Sequence, residues 1–368
     1  MGRTRRRHAA WLLGLVALAA CGSTATSGGG RDTGGGTPDA GSASSADSGA
    51  PPPPNDSGSS SSPDSGVAPD ASPLDAAPEV SGPTSVQLPI PPRTQWNNAN
   101  GYCGETSIQS IALYYGTWVS EDLVRTLAGG ELLIGVNGPQ ALTALHFDFT
   151  QWNNAQAQPQ FQSFMLWMKT YLLQGTPSFF GAYLTDGNND PDYDHIMPVT
   201  GVVTANPAAY DPTDVFTWND NFGDQIMRAA SAIVATRASC SYSSVQGGCI
   251  PQNVDYGIAV TGIVDPQHVT LPVSLTVAQS SEPNVSQGDP PVQMAGNVTV
   301  SGLATGSNYA LLRYDDYTQV PTNATAAQYL ASSPTYRVDF TAGAAQWTYP
   351  DPNTFTSGAS TTYRCVAR

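Results

Sequence analysis

Basic residues are scarce in this chain. Lysine and arginine together number 14 in 368 residues, and Lys169 is the single lysine. With a formal charge of −15 and no basic cluster, the chain repels phosphate backbones and anionic membrane surfaces, so nucleic acid is excluded as a partner. CxxC pairs are missing, and with them any zinc ligand set. Neither a P-loop nor a dinucleotide fingerprint is present, so the sequence implies no cofactor. Long apolar runs are also rare. AAWLLGLVALAA, at 9–20, falls short of the roughly 20 residues that span a bilayer.

That run has a different meaning in context. MGRTRRRH, with four arginines and no acid, precedes it, and small residues follow. This is the layout of a secretory signal, over 1–20. Leu18-Ala19-Ala20-Cys21 resembles the bacterial lipobox. The resemblance implies that Cys21 becomes a lipidated N-terminus. Gly22 after it points to the outer membrane of a Gram-negative cell. Residues 21–85 are mostly Gly, Ser, Ala, Pro and Asp, densest in PPPPNDSGSSSSPDSG. A segment so poor in large apolar residues cannot offset its ordering entropy. It reads as a tether with a reach of about 45 Å.

The folded part divides by pattern. From 86 to 264, helix signals give way to strand signals, which predicts an α+β domain. Ile108, Ile111, Ala112 and Tyr115 form one apolar helical face, and Ser120 before Glu121-Asp122 opens a second helix. Gln160 to Leu173 reads as a third long helix. SFFGAYL, HIMPVTGVV, VFTWND and DYGIAVTGIV read as strands. From 265 to 368, short strands separated by Gly, Pro, Asn and Ser predict a β-sandwich-like accessory domain.

Five cysteines require assignment. Cys21 goes to lipid. Cys240 and Cys249 flank a short glycine-rich loop that can close as a disulfide in an oxidising compartment. Cys103 sits between two turn-forming positions at the mouth of a helix, in NNANGYCGETSIQSIALYYG, where helix amides favour a thiolate. Cys365 near the C-terminus has no evident role, and a Cys103–Cys365 bridge is the structural competitor to chemistry at Cys103.

A nucleophilic thiol needs an imidazole. His8 leaves with the signal. His146 lies inside an alternating run and His268 at the junction of the halves. His195 opens a strand after an acidic turn and is the best candidate. Asn219, Asp220 and Asn221 end the next strand, and one of them would orient the ring. Gln95, upstream of Cys103, offers an amide donor for an oxyanion.

Gln95, Cys103-Gly104, His195 and Asp220-Asn221-Phe222-Gly223, in that order, resemble the papain-like cysteine peptidases. The double-glycine leader peptidase branch is the nearest in pattern. The resemblance covers about 87–263. It implies Cys103 as nucleophile, His195 as general base, Asp220 as orienting residue and Gln95 as oxyanion donor, acting on a peptide or protein. Two rivals share these residues: a non-catalytic binding lipoprotein on the same fold, and an acyl transferase or amidase.

Two further stretches bear on function. Asp186, Asn188, Asp190 and Asp192 alternate like calcium ligands, but Pro191 stands where an EF-hand loop requires glycine, and a solvated acidic turn is the simpler reading. Trp152, Trp167, Phe179 and Phe180 would line a groove, or, as aromatics more often do, fill the core.

Overall fold

The computed structural model describes residues 83–96, 101–182, 195–233, 250 and 253–368. The signal, Cys21, the tether up to 82, the Asp186–Asp192 stretch, and Cys240 with Cys249 lie outside the described residues; the expected tether boundary at 85 is corrected, because Thr84 and Ser85 already pair with Thr204 and Val203 in a strand. All the described residues belong to one compact unit, a mixture of helix and sheet.

The front half runs β1 (Thr84–Gln87), α1 (Cys103–Tyr114), β2 (Thr117–Val119), α2 (Glu121–Ala128), α3 (Gly138–Ala144) and β3 (Phe147–Gln151). There follow α4 (Phe161–Leu173), β4 (Ser178–Ala182), β5 (His195–Thr204), β6 (Val215–Asn219), β7 (Gln225–Ala229) and β8 (Gly257–Ile263). All of these strands except β2 form one antiparallel sheet in the order β3-β8-β4-β5-β6-β7, with β1 on β5. Successive residues of a strand face opposite sides. Phe179 accordingly joins a core with Ile108, Ile111, Ile196 and Ile258. Its neighbour Phe180 joins a second core with Phe164, Met168, Met197 and Trp218. Helix α1 thus covers one face and α4 the other. Trp152 and Trp167 pack against the second core, so all four singled-out aromatics serve packing.

Helix α1 is buried from Cys103 to Leu113, well beyond its one apolar face. Its polar residues tolerate this because each hydroxyl bonds back one turn: Thr106 to Tyr102 O, Ser107 to Cys103 O and Ser110 to Thr106 O. Gln109 donates to Val119 O at 2.8 Å and accepts from Arg93. A buried polar group so bonded costs little.

Lys169 is fully buried on α4. Its Nζ pairs with Asp214 at 2.5 Å and donates to Asn206 O at 2.7 Å. The one lysine therefore ties the β5–β6 connection to the helix. Ser120 caps α2, accepting from Leu123 N at 3.1 Å. Ser120→Ala should cost about 1 kcal/mol, read as a lower urea midpoint with an unchanged slope.

After β8 come β9 (Thr270–Leu271), β10 (Val273–Val277), β11 (Gln293–Met294), β12 (Gly296–Ser301), β13 (Asn308–Tyr314) and α5 (Ala326–Ala331). The chain ends with β14 (Tyr336–Thr341), β15 (Gln346–Pro350), β16 (Phe355–Thr356) and β17 (Ser360–Ala367). Sheet β10-β12-β15 faces sheet β14-β13-β17-β2 across a core of Leu275, Val298, Val300, Leu311, Tyr363 and Cys365. The two halves are not separate. Strand β2 pairs with β17, placing Thr117 opposite Thr362, and Leu113 and Trp118 enter the C-terminal core. At Gly116 (φ 71°) a Cβ would meet Val273 at 2.7 Å, so the turn between α1 and β2 is also a close contact between halves.

Candidate active site

Cys103 is the first residue of α1 and is 8 % exposed. It stands as a thiol, as does Cys365, and the two occupy different cores, so the Cys103–Cys365 crosslink is absent. The chain before it is held from one side. Arg125 lies 3.5 Å over the Tyr102 ring, donates to Gly101 O, and pairs with Glu105 at 2.8 Å. Burial raises the Glu105 carboxyl above its ordinary range, while Arg125 works against that shift. The charge in the first turn that would oppose a thiolate is thus balanced by a guanidinium.

Gly104 lets the helix start approach the sheet. A Cβ there would stand 2.6 Å from Leu132 Cδ2 and 2.9 Å from Ile196 Cδ1. Gly104→Ala should therefore cost about 1–3 kcal/mol by overpacking and push Cys103 away from β5. A thermal melt and a Cys103 alkylation rate together would show both effects.

His195 begins β5 and is fully buried. Its Nε2 lies 2.8 Å from the main-chain oxygen of Asp220. A carbonyl oxygen only accepts, so Nε2 carries the proton and Nδ1 is left as the basic nitrogen. Among the described residues Nδ1 has no hydrogen-bond partner. Phe222 stacks on the ring, centroids 5.2 Å apart and planes 7° from parallel.

The expectation that the Asp220 carboxylate orients the imidazole needs correction. Asp220 Oδ1 accepts from Phe222 N and Asp224 N, closing the turn after β6. The contact to His195 comes from the backbone that this turn positions. Burial raises the Asp220 carboxyl above its ordinary value. Asn219 points elsewhere, donating to Ile90 O at 3.2 Å. Asn221, at φ 60°, turns its amide to Cys103 O (2.9 Å), Ser107 Oγ (2.9 Å) and Ile196 O (2.8 Å). It thereby joins the helix start to the beginning of strand β5. Asp220→Asn, which can still accept at Oδ1, should leave the ring in place, and a neutral-pH alkylation rate within about threefold of wild type is expected.

Gln95, 7 % exposed, is brought to the same place. Gln95 N donates to Asn221 O at 2.9 Å, Gly223 N donates to Arg93 O at 3.1 Å, and Thr94 bridges Phe222. The segment before α1 therefore runs antiparallel to the Asn221–Gly223 turn. Gln95, Cys103, His195 and Asp220 converge through hydrogen bonds that all pass by Asn221 or its neighbours. His146 packs near Tyr317 instead, and His268 lies in the loop after Asp265. No family model matches the chain, and no curated protein matches it.

Beneath Gln95 sits a buried cluster that sequence reasoning missed. Glu121 Oε2 accepts from Trp96 N at 3.2 Å, and Glu121 N donates to Glu282 Oε1 at 2.6 Å. Desolvation, then mutual repulsion, holds the Glu121 carboxyl well above its ordinary value. Desolvation also raises Glu282 to about 8, against opposing hydrogen bonds and Arg93. Arg93, itself lowered to about 10 by burial, stacks 5.1 Å from the Trp118 ring. The folded state keeps a proton on Glu282 that the unfolded chain releases near pH 4.3. The stability so gained is full in acid and declines as pH rises toward 8. The urea midpoint should fall from pH 5 to pH 8, and Glu282→Gln should flatten that slope.

Proposed function

We propose that this chain is a papain-like thiol hydrolase, most simply a peptidase, carried on a lipid-anchored tether at the outer membrane. One observation carries the reading. A fully buried imidazole is pinned at Nε2 by a main-chain carbonyl, with Nδ1 left without a partner among the described residues, beside a helix that begins with a thiol. Spending this much fixed structure on one histidine suits a general base better than a packing residue.

In the proposed cycle, the Cys103 thiol gives its proton to His195 Nδ1, and the sulfur attacks the acyl carbon of a peptide bond. The carbonyl oxygen takes up negative charge, met by the Gln95 side-chain amide and the Cys103 N–H. As the C–N bond breaks, Nδ1–H protonates the leaving amine. Water then gives a proton to Nδ1 and attacks the thioester, which releases the carboxylic acid and restores the thiol. The Asp220 carbonyl stabilises the imidazolium formed in each half by accepting from Nε2–H, and Phe222 keeps the ring plane fixed.

An epoxysuccinyl probe on the purified chain tests the proposal. Mass spectrometry should find the adduct on Cys103, and prior iodoacetamide treatment should prevent it. An unmodified Cys103 after prolonged incubation would oppose the reading.

A further inference from the structure

A cavity of about 370 Å³ lies where the two halves meet, lined in part by Asp148, Thr261, Asp265, Leu271, Val273 and Arg364. Tyr115, just past the C-terminal end of α1, also lines it. Cys103 is at the other end of that helix of 12 residues, so Tyr115 lies about 18 Å from it along the helix axis. A register shift between Asp148 and Phe149, where β3 pairs with β8, leaves Thr261 out of the ladder at the rim. His268, another lining residue, holds a left-handed backbone at φ 51°.

The chemistry of the cavity is set by Arg364. It is 3 % exposed. Its Nη1 donates to Tyr115 O at 3.3 Å and Tyr363 O at 2.8 Å. Among the described residues no carboxylate lies within ion-pairing distance of it. Arg93, also buried without a direct ion pair among the described residues, bonds Gln109 Oε1 and Gln279 O instead; two other deeply buried cations are paired. Lys169 has Asp214, and Arg313 has Asp315 and Asp351 as well as two main-chain carbonyls. Among the described residues Arg364 Nε and Nη2 have no acceptor, yet they are not among the side-chain atoms sealed from solvent without a partner. Burial lowers the group to about 10, so it stays charged at neutral pH. Asp265 in the same lining acts on Arg364 from beyond pairing distance and turns Oδ2 to Thr270 N and Oγ1, and a buried charge without a directly paired counter-ion is costly unless a ligand supplies one.

We propose that this cavity binds a small zwitterion of the size of a free amino acid, its carboxylate on Arg364 and its ammonium on Asp148. A guanidinium takes a carboxylate through two parallel N–H donors. Asp148 is exposed at the rim, where it attracts a cation and repels a second negative charge. The chain's net charge of −15 disfavours a multiply charged anion in the same way. Leu271, Pro272 and Val273 supply an apolar wall for an aliphatic side chain. The volume is within the range of small-molecule sites, about 300–1,000 Å³.

Isothermal titration of the full chain with L-leucine, isovalerate, isopentylamine and inorganic phosphate tests this. Leucine should bind saturably, isovalerate about tenfold more weakly, and the amine and phosphate not measurably. Asp148→Asn should reduce leucine to the isovalerate level, and Arg364→Gln should abolish binding. Because Arg364 is buried, Thr261→Trp serves as a second variant: it blocks the mouth from an exposed position and should also abolish binding while the circular dichroism stays native. Cys103→Ala should leave leucine binding unchanged, since the cavity does not depend on the thiol. Absence of saturable leucine binding, equal binding by Thr261→Trp, or tighter binding of phosphate than of leucine would each overturn the proposal.

Discussion

His195→Ala should lower peptide turnover by about 10²–10⁴-fold, the usual loss when a positioned acid–base is removed. Cys103→Ala should leave no turnover above background. The two losses should not multiply: the double variant should be no worse than Cys103→Ala, because thiol and imidazole act as one unit. Both substitutions only shorten a side chain. His195 leaves a gap beside Phe222, so a modest stability loss should accompany that variant, and circular dichroism separates it from the loss of activity. His195→Gln is a useful companion. Its amide can still donate to Asp220 O but cannot accept and return a proton near neutral pH. If His195→Gln turned over substrate at the wild-type rate, the imidazole would be a packing residue and not a base.

The second large effect is expected at Asn221. Its amide nitrogen is shared among Cys103 O, Ser107 Oγ and Ile196 O, all within 2.9 Å, and the residue is fully buried. Asn221→Ala strips these acceptors of a donor that water cannot easily replace, a loss of about 1–3 kcal/mol for the unsatisfied groups. The left-handed backbone at φ 60° adds about 1–2 kcal/mol, because alanine tolerates that region less well than asparagine. A fall of about 2–5 kcal/mol in urea unfolding is the expected total. Activity should fall further than stability alone predicts, since the helix start bearing Cys103 is no longer fixed to β5. Asn221→Gly keeps the backbone conformation and loses the amide, so it separates the two contributions. If Asn221→Gly matched wild type in stability, the shared amide would contribute nothing.

The contrast between these two residues shows what could be read from the chain in advance. Cys103 and His195 were legible because each opens an element: an apolar period begins after Cys103, and a β-branched run begins after His195. The roles of Asn219, Asp220 and Asn221 were not. In an ideal strand they would alternate between faces, but the left-handed Asn221 rotates the chain, and the side chain expected to orient the imidazole closes the turn instead. The aromatic of the same turn, Phe222, was visible in sequence, yet its stacking on His195 depends on that rotation. Helix α1 misled in another way. Its apolar face marked one buried side, but Thr106, Ser107 and Ser110 satisfy their hydroxyls within the helix, so the opposite face is buried as well. Glu121 reads as an ordinary first-turn acid. Its burial depends on Glu282, 161 positions away, and no local pattern announces such a pair. Likewise the three residues of β2 carry too little pattern to announce their pairing with β17, which joins the two halves.

Competitive alkylation within one molecule tests the central claim most directly. Cys365 is fully buried, and desolvation pushes its thiol up to about 12, so it is an internal standard for an unactivated cysteine. With limiting iodoacetamide at neutral pH, wild type should label Cys103 at least about tenfold faster than Cys365, and His195→Ala should remove most of that advantage. Equal and slow labelling of both thiols, or a Cys103 rate indifferent to His195, would contradict the account.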